Sequence, residues 1–201
     1  MREAEGRRTR SDSSPAPHAV TRSGGALRVY TLGFSTRTVD EVVEMLRGVG
    51  VTQLVDVRTV PRSRHTPQWN REYAGGTFPP HGIRYRHLPA LGGFRKPRPD
   101  SPNTGWHNPS FQGYADYMGT PRFAEGLAEL LELAREAPTA IACTEAVPWR
   151  CHRSLIADAL TVRGVEVRHL MSATASRPHA LTPFARVEGL ALTYPDPDSL
   201  F

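Results

Sequence analysis

The chain of 201 residues contains a single lysine, Lys96, among its 25 basic side chains. Its positive charge is therefore almost entirely guanidinium, the group that contacts phosphate and carboxylate in a bidentate manner. GC-rich codon usage produces the same bias, so the arginines alone assign no partner. Cysteine is scarce too: there are only Cys143 and Cys151. Two cysteines do not make a disulfide-stapled scaffold. In a reducing compartment they are free thiols, a redox pair or metal ligands. No apolar run approaches the length needed to cross a bilayer as a helix. The N-terminus is Arg-rich but lacks the apolar centre of a secretory signal, so cytoplasm is the expected compartment and no membrane partner is expected. No internal repeat is present, and nothing in the sequence sets an oligomeric state. Hydrophobic residues make up 39%, a little below the usual globular share, while 18 prolines and 17 glycines imply long ordered loops or a disordered terminus.

The organisation along the chain follows from these properties. Residues 1–26 are polar and aperiodic and read as a disordered tail. Arg2, Arg7, Arg8 and Arg10 carry part of the formal charge of +5, diluted by Glu3, Glu5 and Asp12. A nucleic-acid-binding arm is the alternative reading. The domain spans 27–195, with a short C-terminal tail at 196–201. Leu27–Leu32 reads as a buried strand ending at Gly33. Thr38–Arg47 reads as a helix with Thr38 and Glu41 forming a capping box, closed by Gly48 and Gly50. Val51–Val57 is a second apolar run, so strand, helix and strand form a βαβ unit with parallel strands. The chain is loop-rich from Arg58 to Thr120, with a short strand at Ile83–Leu88 and a short helix at Phe111–Met118. Trp106, Phe111 and Tyr114 argue that the long segment is packed. Pro121–Glu136 is a helix with Phe123, Leu127, Leu130, Leu131 and Ala134 on one face. Strand Thr139–Cys143, helix Ser154–Arg163 and strand Val165–Leu170 follow. The remainder from Met171 reads as irregular, with Leu190–Tyr194 pairing with another segment. The expected fold is a single α/β domain with a mostly parallel sheet, helices on both faces and a long ordered loop insertion.

The densest chemistry lies between Ala140 and Leu155. Both cysteines are there, with Glu145, Arg150, His152 and Arg153 around them. Ligands of open parallel sheets bind at the carboxyl ends of the strands. Three such ends carry polar clusters: Ser35 and Arg37; Asp56, Arg58, Arg62, Ser63 and Arg64; and the cysteine segment itself. Cys143 suits a nucleophile or redox thiol activated by the arginines, His152 and helix N–H groups. Glu145 or Asp56 suits a general acid or base beside arginines that hold an anion. Cys143, Cys151 and His152 are also ligand types for zinc or iron, although CxxC spacing is absent. The Arg58–Arg64 loop, and Trp106 beside Arg95 and Arg98, suit phosphate contacts with aromatic stacking. Each residue also has a plain structural role open to it. Cys143 fits a core position at a strand end. Cys151 and His152 fit a helix cap, Glu145 an ion pair, Trp106 a loop anchor and the arginines a solvated surface. Grouped together they indicate a site.

The layout of strand, Cys, loop, Arg, Ser and helix resembles the active-site loops of rhodaneses and cysteine-based phosphatases, and Leu54-Val55-Asp56-Val57-Arg58 resembles a common rhodanese strand. Six residues, not five, separate Cys143 from Arg150, and Pro148 and Trp149 replace the small residues of a phosphate cradle, so a simple phosphatase is not expected. Four motifs in order resemble the DUF488 family. They are Tyr30-Thr31-Leu32-Gly33-Phe34-Ser35, Leu54–Arg58 with Pro61 and Ser63-Arg64, Leu88-Pro89-Ala90-Leu91-Gly92-Gly93, and Cys143-Thr144-Glu145 through Pro148 to Cys151-His152-Arg153-Ser154. The resemblance spans Val29–Tyr194 and implies one α/β domain of bacterial or archaeal type, with no reaction attached. The family pattern has His where this chain has Phe34.

These readings favour an enzyme whose site lies at the strand carboxyl ends. Cys143, Glu145 and Asp56 are the candidate catalytic residues. Ser35, Arg58, Arg64, Arg150, Arg153 and Trp106 are candidates to bind an anion such as a nucleotide or nucleic-acid phosphate, and the Gly92–Asn108 loop is expected to cover the site. A non-catalytic nucleic-acid-binding module and a zinc or iron site on Cys143, Cys151 and His152 are the alternatives.

Overall fold

The structure, a computed structural model, describes residues 26–200. Residues 1–25, read above as part of a disordered tail, lie outside that range. Five parallel strands and one antiparallel strand form a sheet: β1 (Arg28–Gly33), β2 (Gln53–Asp56), β3 (Arg84–His87), β4 (Thr139–Cys143), β5 (Glu166–Leu170) and β6 (Ser176–Pro178), in the order β3-β2-β4-β1-β5-β6. The helices are α1 (Val39–Arg47), α2 (Arg71–Thr77), α3 (Pro109–Met118), α4 (Pro121–Glu136) and α5 (Arg153–Thr161). A separate two-stranded ribbon pairs β7 (Arg186–Glu188) with β8 (Ala191–Thr193).

Helices cover both faces. Alternate residues of the central strands point to opposite sides. Leu32, Leu54, Ala140 and Ala142 pack with Val42, Leu46, Ala74 and Phe78, which places α1 and α2 on one face. Val29, Val55, Ile141 and Val167 pack with Tyr114, Leu127, Leu130 and Leu160, which places α3, α4 and α5 on the other. Helix α1 starts as its sequence indicates: Thr38 accepts from Glu41 N–H and the Glu41 carboxylate accepts from Thr38 N–H.

The βαβ unit read at the start of the domain has parallel strands, but β4 inserts between them and pairs with β1 on one side and β2 on the other. The chain leaves β1 and β2 toward the α1 face and leaves β4 toward the α5 face. The carboxyl end of β4 is thus the point where connections diverge and open a crevice.

Three details depart from the sequence reading. The segment after Met171 is not irregular throughout, since β6 extends the sheet antiparallel to β5. Its Ser-Arg-Pro sequence has no hydrophobic alternation, and its proline is tolerated because the strand lies at the sheet edge. Helix α2 falls inside the stretch read as loop; Gly75 and Gly76 make it a poor helix former by propensity. Helix α3 begins at Pro109, two residues before the sequence reading, with Asn108 capping the N–H of Ser110 and Pro109 in the first turn. In the C-terminal tail, Pro197–Leu200 form a 3-10 turn.

The long connection before α3 is ordered by polar contacts. Asp116 accepts from Arg98 N–H, the Ser101 hydroxyl and the Asn103 amide. Trp106 packs on Phe111, Phe184 and Tyr194, with ring centres 4.8, 5.0 and 5.6 Å apart.

Candidate active site

Beyond the carboxyl ends of β1, β2 and β4 lies a cleft of about 700 Å³. Ser35, Arg58, Arg62, His65, Phe94, Phe111, Tyr114, Cys143, Glu145, Arg150, Cys151 and His152 are among its lining residues. The structure therefore gathers Ser35, Arg58, Cys143, Glu145, Arg150, Cys151 and His152 around one cavity, from the three strand ends singled out in the sequence.

The backbone around the cleft is tightly built. Phe34 N–H donates to Cys143 C=O at 2.8 Å and Ser35 N–H to Thr144 C=O at 2.7 Å, so the β1 loop continues alongside the cysteine loop. A Cβ on Gly33 would lie 2.1 Å from the Glu145 carbonyl oxygen, so this approach requires glycine. Among the described residues, two non-glycines have positive φ, Ser35 at 46° and Phe94 at 58°, and both line the cleft. Such conformations cost about 1–3 kcal/mol each and cluster where a site demands them.

The two thiols meet at the floor. Both are free, with Cys151 buried and Cys143 partly exposed. Arg153, itself buried, donates from Nε to Cys151 Sγ at 3.3 Å and from its terminal nitrogens to the Glu145 carbonyl and, at 3.5 Å, to the Thr31 hydroxyl. His152 donates from Nε2 to the Val57 carbonyl at 3.0 Å, because a carbonyl only accepts. Its other ring nitrogen, Nδ1, sits 3.7 Å from Cys151 Sγ.

These contacts make the sulfurs unequal. The adjacent Cys143 thiol, the nearby Arg153 charge and His152 hold the Cys151 thiol well below the ordinary cysteine range against the cost of burial. Cys143 moves the opposite way, well above it, because it lies against Cys151 and is desolvated. Cys151 also lies two residues before α5, whose N-terminal dipole favours negative charge. The sequence reading placed the reactive thiol at Cys143; Cys151 is the sulfur that Arg153 contacts. The signal for this was the adjacent Cys151-His152-Arg153 at a helix start.

The other expected site residues have different positions. Asp56 is fully buried and does not line the cleft. Its carboxylate accepts from the backbone N–H and guanidinium of Arg58 and from the Tyr85 hydroxyl, and so holds Arg58 in place. Arg58 in turn lies 4.9 Å over the Phe34 ring and donates to the Trp69 carbonyl. Arg153 lies below the cleft floor, against Cys151. Arg64 is exposed beside the cleft-lining Ser63 and His65 but does not line the cavity. Trp106 sits in its aromatic cluster away from the cavity. Of the Gly92–Asn108 loop, Gly93 and Phe94 reach the cleft. Arg62 of the Arg58–Arg64 loop, His65 and the 88%-exposed Phe94 also line the cleft, and of these Phe94 is not among the candidates read from the sequence.

The donor atoms of Cys143, Cys151 and His152 all lie within 4.8 Å of one another. Two thiols and an imidazole are a donor set that zinc or iron accepts, with a fourth position open to the cleft. A ligating histidine whose second nitrogen donates to a backbone carbonyl is also usual at metal centres.

The fold and site define a single-domain α/β protein with a paired-thiol cleft at the switch point of a parallel sheet. The model of the family described as "Domain of unknown function DUF488" matches residues 38–160. That is more than half of the chain, which therefore belongs to the DUF488 family. No curated protein and no solved structure matches the chain. Among the described residues, no helix is long and apolar enough to cross a membrane.

Proposed function

We propose that this protein is a thiol-dependent enzyme acting on an anionic substrate, with Cys151 as the reactive thiolate. The observation that carries the proposal is the set of contacts on Cys151 Sγ. Arg153 stabilises its negative charge, Cys143 supplies a proton, His152 Nδ1 faces it, and the cleft gives access. Two arginines at the walls, Arg62 and Arg150, are exposed and make no ion pair among the described residues, so they can receive an anion. Phe94 adds an exposed aromatic face, which suits a substrate that joins a phosphate to a ring, as nucleotides and nucleic acids do. In a transfer or hydrolysis the Cys151 sulfur bonds to the electrophilic centre and the leaving group departs with a proton from Cys143 or Glu145. Water or a second acceptor then releases the sulfur. The pair of free thiols suits a reducing cytoplasm.

A metal centre is the second reading, favoured by the close approach of the three donor atoms. Cys143, Cys151 and His152 would hold the ion, which would supply Lewis acidity at the cleft floor.

Both readings are tested by iodoacetamide labelling at pH 6 after chelation, located by mass spectrometry, with elemental analysis of the untreated protein. An ordinary thiol is less than about 1% ionised at pH 6. Cys151 is expected to label about tenfold faster than free cysteine under these conditions. Slow labelling together with stoichiometric zinc or iron that Cys151→Ala loses replaces the thiol reading with the metal one. Slow labelling without metal, and DNA or RNA binding that falls steeply with salt and is unaffected by Cys151→Ser, leaves a non-catalytic nucleic-acid module.

A further inference from the structure

A second buried polar cluster lies on the far side of Arg153 and takes no part in the cleft. Asp158, fully buried on α5, accepts from His179 Nε2 at 2.8 Å, from the Thr182 backbone N–H at 3.0 Å and hydroxyl at 2.7 Å, and from the Tyr194 hydroxyl at 3.0 Å. His179 Nδ1 meets His169 Nε2 at 3.0 Å, and His169 Nδ1 meets the Thr31 hydroxyl at 2.7 Å. The Thr31 oxygen accepts from Arg153 at 3.5 Å.

A carboxylate only accepts and a neutral imidazole has one donor and one acceptor, so with both imidazoles neutral these contacts have one consistent direction. His179 donates to Asp158 through Nε2, leaving Nδ1 as acceptor. His169 must then donate through Nε2, leaving its own Nδ1 as acceptor for the Thr31 O–H. That turns the Thr31 lone pairs toward Arg153. Every link points from the guanidinium to the carboxylate, a polarised chain in which each bond strengthens the next. Burial keeps His169 neutral, with its pKa lowered to about 4, as this direction requires.

We infer that Thr31, His169 and His179 form a positioning relay that fixes Arg153 against Cys151, so that the buried Asp158 governs the reactivity of a thiol it does not touch. The inference rests on the thiolate reading of Cys151. It makes the C-terminal segment, which supplies His179 and the Asp158 donors Thr182 and Tyr194, part of the machinery that orients the site. None of these residues reaches a substrate; each acts through Arg153.

The test is the rate of Cys151 alkylation by iodoacetamide at pH 6 in chelated full-length protein, with circular dichroism and thermal melting to establish folding. Thr31→Val keeps the shape and removes the hydroxyl; Thr31→Ser restores it. A drop of about tenfold is expected for Thr31→Val, with Thr31→Ser within about twofold of wild type. His179→Leu, which breaks the relay at a distance, is expected to slow labelling likewise. His179→Gln, whose amide can donate to Asp158 and accept from His169, is expected to recover it. The His179 pair decides the matter if Thr31→Val does not fold. Folded Thr31→Val or His179→Leu protein that labels at the wild-type rate overturns the relay. A wild-type rate no faster than free cysteine instead overturns the thiolate reading beneath it, a distinguishable result.

Discussion

Single residues around the cleft are held at measurable cost. Phe94 keeps a positive φ and an exposed ring, so Phe94→Gly is expected to raise stability by about 1 kcal/mol while weakening binding of a ring-bearing anion; melting temperature and titration with a nucleotide measure the two effects. Gly33 is the opposite case. An added methyl there meets the backbone of Glu145 and Ala146 and not a flexible side chain, so Gly33→Ala is expected to destabilise by about 1–3 kcal/mol and to disturb the thiols, read by denaturant titration and alkylation. Residue by residue, the site was partly legible in the sequence. The clustered Cys, Glu, Arg and His between Ala140 and Leu155 marked the place. Which sulfur Arg153 contacts was not legible, because it depends on where that side chain turns. The partner of Asp56 was hidden for a similar reason: an aspartate at a strand end reads the same whether it faces the cleft or pairs with the arginine two residues on.

Among the elements, those with strong periodicity or end signals were read nearly to their bounds. Helix α4 has Thr120 at its cap, Pro121 in its first turn and a clear apolar face, and β4 is a compact buried run. Those that tertiary contacts stabilise were missed. Helix α2 depends on the buried Ala74 and on the packing around Trp69 and Phe78, and β6 depends on the edge of β5. The insertion of β4 between β1 and β2 was illegible as well, since local sequence states that strands are parallel but not which strands are neighbours. The junction of β5 and β6 also has a pH consequence. His169 titrates at about 4 in the folded protein, against 6.5 for an ordinary histidine. Between these values the unfolded chain binds a proton that the native state excludes, so this contribution to stability is full above about pH 6.5 and is lost as the pH falls toward 4. Thermal melts from pH 7 to pH 4 are expected to fall more steeply for the wild type than for His169→Gln.

For the whole molecule, the C-terminal segment is a structural partner of the sheet and not an appendage. Tyr194 is fully buried, its N–H donates to Asn103, its C=O accepts from Gly105, and its ring packs on Trp106. A chain ending at Ser172 removes these contacts and leaves the Asp158 carboxylate without His179, Thr182 or Tyr194. An uncompensated buried charge costs about 3–5 kcal/mol, so the truncated protein is expected to be largely unfolded at 25 °C by circular dichroism.

The central position of β1 sets the tempo of folding. Its neighbours are β4 and β5, with Val29 opposite Thr139 on one side and Val167 on the other. Both partners lie far along the chain, so β1 leaves the ribosome well before either and waits with two open edges until they follow. Such long-range pairing makes for slow folding and a prolonged exposure to association with other nascent chains.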